Sequence, residues 1–91
     1  MLRMSSTRGP GDRTTVHLEG RIVGPWVAEL ARFCGPLLQS GEKLDLDFRD
    51  VSFISREGVR LIWTLRDRQV ALTNCSRFVA ELLKAIEEMA P

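Results

Sequence analysis

Lys43-Leu44-Asp45-Leu46-Asp47-Phe48-Arg49 alternates without a fault, with Leu44, Leu46 and Phe48 on one side and charged residues on the other. Successive side chains of a strand point to opposite faces, so this segment predicts a strand buried on one face only. A doubly wound parallel sheet covers both faces of its central strands, which then read as continuous apolar runs. Any helices of this chain must therefore pack on one face of its sheet.

Downstream, Val51-Ser52-Phe53-Ile54-Ser55-Arg56-Glu57-Gly58-Val59 passes from strand-like to helix-like sequence across a polar turn. Gly58, Leu61, Ile62 and Leu65 recur at helical spacing, Arg60, Thr64 and Asp67 point away, and Val59 and Trp63 fall on the border. Residues 69–73 predict a short strand. Ser76 is suited to N-cap a last helix with Phe78, Val79, Leu82, Leu83, Ile86 and Met89 on its core face and Glu81, Lys84, Glu87 and Glu88 in water.

Upstream, Val16 and Leu18 alternate with His17 and Glu19, and Gly20-Arg21-Ile22-Val23-Gly24 closes that strand with a glycine-marked bend. Pro25 suits a first helical position, and Trp26, Val27, Leu30, Ala31, Cys34, Leu37 and Leu38 follow at helical spacing, with a distortion expected at Gly35-Pro36. Residues 1–13 read as a tail, or as a loose first strand and a turn at Gly9-Pro10-Gly11-Asp12. Residues 14–91 read as the domain.

A chain of 91 residues has material for one hydrophobic core. With 44% apolar and 27% charged residues it has the composition of a globular protein, neither disordered nor membrane-spanning. Thirteen basic and 12 acidic residues are scattered, giving a net charge of +1, which argues against a nucleic-acid partner. All the basic residues but Lys43 and Lys84 are Arg, a bias that suits paired or anion-contacting charges. No signal-like apolar run occurs in the first twenty residues, and no window approaches the roughly 18 apolar residues of a spanning helix, so a cytoplasmic location without membrane insertion is expected. Cys34 and Cys75 lie in no paired-ligand spacing and read as reduced, partly buried thiols.

Catalytic chemistry finds little to build on. His17, the only histidine, should point to solvent from a half-covered strand. One His and two unclustered Cys make a poor zinc site, and neither the P-loop nor the dinucleotide fingerprint can be written. Asp45 and Asp47 share a face, but Lys43 and Arg49 flank them as on an exposed charged strand. The expectation is a non-enzymatic protein with no catalytic residues, cofactor or metal. At the junction, Ser55 reads as the N-cap of the second helix, Glu57 as a first-turn acid favoured by the helix dipole, and Arg60 as its i,i+3 partner.

The order of elements and the motifs along residues 14–89 resemble the STAS domain family of anti-sigma-factor antagonists. Leu18-Glu19-Gly20-Arg21-Ile22 resembles the family's Leu-x-Gly-x-Leu strand end. Leu46-Asp47-Phe48-Arg49-Asp50-Val51-Ser52-Phe53-Ile54 resembles its Leu-x-Asp-Leu-x-x-Val-x-Phe-(Ile/Met) stretch. Ser55-Arg56-Glu57-Gly58 occupies the place of its Asp-(Ser/Thr)-Ser-Gly switch. The resemblance implies an α/β fold with a mixed sheet of about four to five strands and helices on one face. It also implies a regulatory module that binds a protein partner, such as an anti-sigma factor with a serine-kinase-like ATPase domain, and is released when the Ser before the Gly is phosphorylated.

In this chain that phosphoacceptor position is Glu57, which cannot be phosphorylated. Ser55 stands where the family has Asp, Arg56 at the middle position, and Val23 where an acid commonly ends the strand. Arg21, Arg56 and Arg60 supply positive charge nearby in sequence, so a fixed carboxylate replacing a phosphate is tolerated. Phosphorylation of Ser55 instead is a lesser alternative. The expected partner-binding residues are Ser55, Arg56, Glu57, Gly58, Arg60, Trp63 and Arg21, with Trp63 and Val59 forming an apolar strip or simply packing. Two other functions fit: an accessory subunit of a bacterial lipid-transport ATPase, and a module binding a small anion or nucleotide at the N-terminus of the second helix. Glu57 opposes the last by placing like charge there. The sequence does not specify an oligomeric state.

Overall fold

The computed structural model describes residues 1–89, with side chains through residue 85. The elements run β1 (Leu2–Arg8), β2 (Arg13–Ile22), α1 (Pro25–Gln39), β3 (Lys43–Ile54), α2 (Arg56–Arg66), β4 (Ala71–Thr73) and α3 (Arg77–Met89). They build one four-stranded sheet in the order β1-β2-β3-β4, with β1 antiparallel to β2 and the remaining neighbours parallel. The parallel pairs require the crossover helices α1 and α2, and all the helices cover one face of the sheet.

Within β3, Leu44, Leu46 and Phe48 are at most 1% exposed, as their alternation demands. The strand continues beyond Arg49 to Ile54, through the strand-like start of the 51–59 stretch. Against β2 the register passes from His17↔Asp47 to Glu19↔Asp50, then from Gly20↔Val51 to Arg21↔Phe53. Each step places one extra residue in β3, so the strand carries two bulges, and each bulge reverses which side chain points inward. Val51 and Ile54 consequently join the core with Leu44, Leu46 and Phe48, although they stand three residues apart. The polar turn shrinks to Ser55.

Residues 2–8 are ordered as edge strand β1, and Leu2 reaches the core. The hairpin turn lies at Gly9 to Asp12 as the sequence suggests, closed by the Gly9 N–H donating to Arg13 O at 2.8 Å. Gly20 marks the bend of β2. Its φ of 113° is in the left-handed region, and a Cβ there would run into the Met1 carbonyl oxygen. Helix α1 passes through Gly35-Pro36 unbroken, because Pro36 falls in its last turns and the C-terminal bonds re-form beyond it, Ser40 N–H to Pro36 O at 3.0 Å among them.

Helix α2 buries Gly58, Val59, Ile62 and Leu65, so Val59 is a core residue rather than a border one. In α3, Val79 and Leu83 are buried and Leu82 is half-buried, but Phe78, expected on the core face, is 52% exposed. One residue is 100° on a helix, and the stripe through Val79 and Leu83 turns Phe78 outward. The expected orientations of Ile86, Glu87, Glu88 and Met89 lie outside the described side chains.

Candidate functional site

The candidate site sits where β3 delivers the chain into α2, at the carboxyl ends of the parallel pair β2 and β3. Ser55 is extended, with φ −72° and ψ 168°, as an N-cap must be. Its hydroxyl accepts from Gly58 N–H at 3.2 Å and its carbonyl from Val59 N–H at 2.9 Å. Its own N–H donates to Ile22 O at 2.9 Å, which ties the start of α2 to the end of β2. The cap expected from sequence is thus formed, with the Ser55 hydroxyl as its acceptor.

Gly58 explains why no other residue suits this place. A Cβ would lie 2.8 Å from Ile54 Cγ2, 3.0 Å from Ile22 O and 3.1 Å from Ile22 Cγ2. The first turn of α2 therefore rests directly on the two strand ends, and Arg56 and Glu57 face outward, both exposed. The Glu57–Arg60 ion pair expected from spacing is not formed: among the described residues, no basic nitrogen lies within 4.0 Å of the Glu57 carboxylate. A surface pair at that spacing is worth only a few tenths of a kcal/mol, too little to hold two long side chains together. Glu57 is left presented to solvent beside the N–H groups of the first turn.

Arg21 joins this end of the molecule through the sheet. It is opposite Phe53 in register, and its guanidinium lies over the Phe53 ring at 5.6 Å from the centroid. Arg60 is exposed on the outer side of α2. Trp63 is placed differently from the rest. It turns toward α3, its indole N–H donates to Leu83 O at 3.1 Å, and Arg66 stacks on its ring at 4.7 Å. Because Val59 is 1% exposed, it forms no exposed apolar strip with Trp63, which is half-buried and packs against the core. The sequence reading missed Phe53 and Phe78, whose rings lie 6.4 Å apart. The available signal was the one-residue offset of Phe78 from the Val79 stripe.

Asp45 and Asp47 do not form a carboxylate pair: their side-chain partners lie across the sheet, and Asp47 also accepts the Arg49 backbone N–H at 2.9 Å. Arg13 meets Asp45 at 3.1 Å, and His17 Nδ1 lies 3.1 Å from Asp47 Oδ2. Parallel pairing places His17 directly opposite Asp47, which the spacing along one strand cannot reveal. The Arg49 backbone N–H, followed by Asn74 and His17, holds the Asp47 carboxyl below its ordinary value, with burial opposing them. Burial pushes the Cys34 thiol up to about 11 and raises that of Cys75, and both cysteines are free. Among the described residues no group of three or more His, Cys, Asp or Glu could hold a metal ion. No helix among them is long and apolar enough to cross a membrane.

No protein-family model matches the chain, and no curated protein matches it either. Solved structures do. The anti-sigma factor antagonist SpoIIAA in its unphosphorylated form superposes with a TM-score of 0.73 at 14% identity, over 90% of this chain and 82% of that one. Mglu gives a TM-score of 0.65 at 24% identity over 80% of this chain, which amounts to 20% of that much longer chain. An uncharacterized protein of the DUF3478 family from Shewanella loihica PV-4, with a SpoIIAA-like fold, gives 0.53 at 13% identity, covering 99% and 80% of the two chains. Likeness at these identities is likeness of fold. With its mixed four-stranded sheet, helices on one face and the β3–α2 junction in place, the chain has the STAS-like fold of the anti-sigma factor antagonist SpoIIAA.

Proposed function

We propose that this chain is a non-enzymatic, cytoplasmic regulatory module that binds a protein partner through the β3–α2 junction. In this reading Glu57 takes the place of the phosphoaccepting serine, so the junction carries a permanent negative charge. The partner class is an anti-sigma factor with a serine-kinase-like ATPase domain. The observation that carries the reading is the exposed Glu57 carboxylate on the first turn of α2, without an ion-pair partner among the described residues and held outward because Gly58 packs on the strand ends.

A phosphate there would bring a charge of about −1.5 to −2, and a carboxylate supplies about half of that without a kinase. The Ser55 hydroxyl, already accepting the Gly58 N–H, serves the helix start. Regulation would then come from the amount of the protein. The test is co-purification of the tagged chain from its native host, followed by phosphorylation with the captured partner and ATP. A kinase-like ATPase domain should be captured; it should leave the wild-type chain unmodified and phosphorylate Glu57→Ser at the new serine. Capture of a transporter nucleotide-binding subunit instead, or phosphate on the wild-type chain, would overturn the proposal.

A further inference from the structure

Three side chains stand in a row across the strand ends. The Arg21 guanidinium lies over Phe53, whose ring centroid is 6.4 Å from that of Phe78, with the rings tilted by 32°. Phe78 at 52% exposure is, apart from Met1, the only exposed large apolar side chain among the described residues. Single exposed apolar residues are ordinary. This one instead continues a stack of ring on ring on cation.

The row also lies beside the candidate site. Phe53 precedes Ser55 by two positions, and the residue after Arg21 accepts the Ser55 N–H. Arg21, Arg56 and Arg60 are exposed, and among the described residues none has a carboxylate within 4.0 Å. Arg3, Arg8, Arg13, Arg32 and Arg77 are each matched by an acid of the chain itself, while Arg49, Arg66 and Arg68 also have no such partner among the described residues. The positive end of the α2 dipole adds to the same field. This end of the molecule thus combines one exposed ring, Phe78, backed by the half-buried Phe53, with guanidinium groups unmatched among the described residues, against the single acid Glu57 of the first turn.

We propose that Arg21, Phe53 and Phe78 anchor a protein partner that presents an apolar side chain flanked by carboxylates. The inference rests on reading the β3–α2 junction as the binding face, and it extends that face to the start of α3. The partner's apolar side chain covers the open edge of the Phe78–Phe53 pair while its carboxylates meet Arg21 and the arginines of α2. Buried aromatic and Arg side chains supply most of the binding energy of protein interfaces. An anionic lipid surface is disfavoured, because one exposed ring and an acid stand where a broad apolar and basic face would be needed.

The test is selection of a displayed random-peptide library on the folded chain, followed by titration of the enriched peptides. Enriched sequences should carry Asp or Glu around Leu, Ile, Phe or Trp. Their affinity should fall about tenfold or more in Phe78→Ser and in Arg21→Ala, as for a hot spot, and hold in Arg68→Ala. Phe53→Leu, which keeps an apolar side chain but removes the ring pair, should give a smaller loss. No enrichment, a basic consensus, or affinity indifferent to Phe78→Ser would overturn the proposal. Phe78-dependent binding to phosphatidylserine vesicles would overturn it in favour of a lipid surface. The two readings fail separately: peptide binding lost in Phe78→Ser while the wild-type chain accepts phosphate keeps this face and removes the fixed-charge reading. Capture of the ATPase domain undiminished by Phe78→Ser and Arg21→Ala does the reverse.

Discussion

Replacing Gly58 by Ala tests whether α2 is seated on the strand ends as tightly as the structure indicates. On helix propensity alone the change should stabilise the protein by about 0.5–1 kcal/mol. The new methyl group, however, would sit 2.8 Å from Ile54 Cγ2 and 3.0 Å from the Ile22 carbonyl oxygen. Ile54 Cγ2 is fixed to a β-branched carbon in a 2% exposed side chain, and Ile22 O is backbone that already accepts the Ser55 N–H, so neither can give way alone. Overpacking of this kind costs about 1–3 kcal/mol. The difference between the midpoints of these ranges is a net loss of about 1 kcal/mol, or a Tm lower by about 4–8 °C for a domain of this size. Thermal and urea unfolding followed by circular dichroism would measure it, with an unchanged urea m-value showing that the compactness of the two states is preserved. Amide exchange at Ser55 should accelerate more than at Leu46, because lifting the helix stretches the Ser55–Ile22 bond first. A Gly58→Ala variant as stable as wild type or more so would refute the seating argument.

Ser55→Ala removes the acceptor of the Gly58 N–H and should cost about 1 kcal/mol in urea unfolding, whereas Ser55→Asp, also a good N-cap, should be near neutral. Equal losses in both variants would mean that the hydroxyl does not act as a cap. Asp47 gives a pH signature: its folded-state pKa is depressed, so its carboxylate stabilises the protein above the unfolded-state value near about 4, and that contribution disappears as pH falls through the folded-state value. Asp47→Asn should therefore cost about 1 kcal/mol at pH 7 from weakened charge-assisted hydrogen bonds. The gap from wild type should close on acidification, and a gap independent of pH would contradict the assignment.

Much of the chain can be read from local pattern. The alternation at Leu44, Leu46 and Phe48 dictates a strand covered on one side, and the helical stripe of Gly58, Ile62 and Leu65 requires a helix packed on that side. The Ser55 cap follows from residue type and position, as does the outward Glu57 on the first turn. These properties depend on neighbours a few residues away, and spacing alone reports them.

What depends on pairing between distant segments could not be read that way. The two bulges of β3 exist only relative to β2, yet they carry Val51 and Ile54 into the core and turn Phe53 out under Arg21. Cross-strand register, rather than spacing along β3, gives Asp47 His17 as its partner and Asp45 Arg13. The sequence by itself determined the strand, the helix start and the acid at residue 57, because helix and strand periodicity and capping are short-range physics. Only the tertiary structure decided that Trp63 is tied to Leu83, that Phe78 is exposed against Phe53, and that Gly58 leaves no room for a side chain, because each depends on which segments the fold brings into contact.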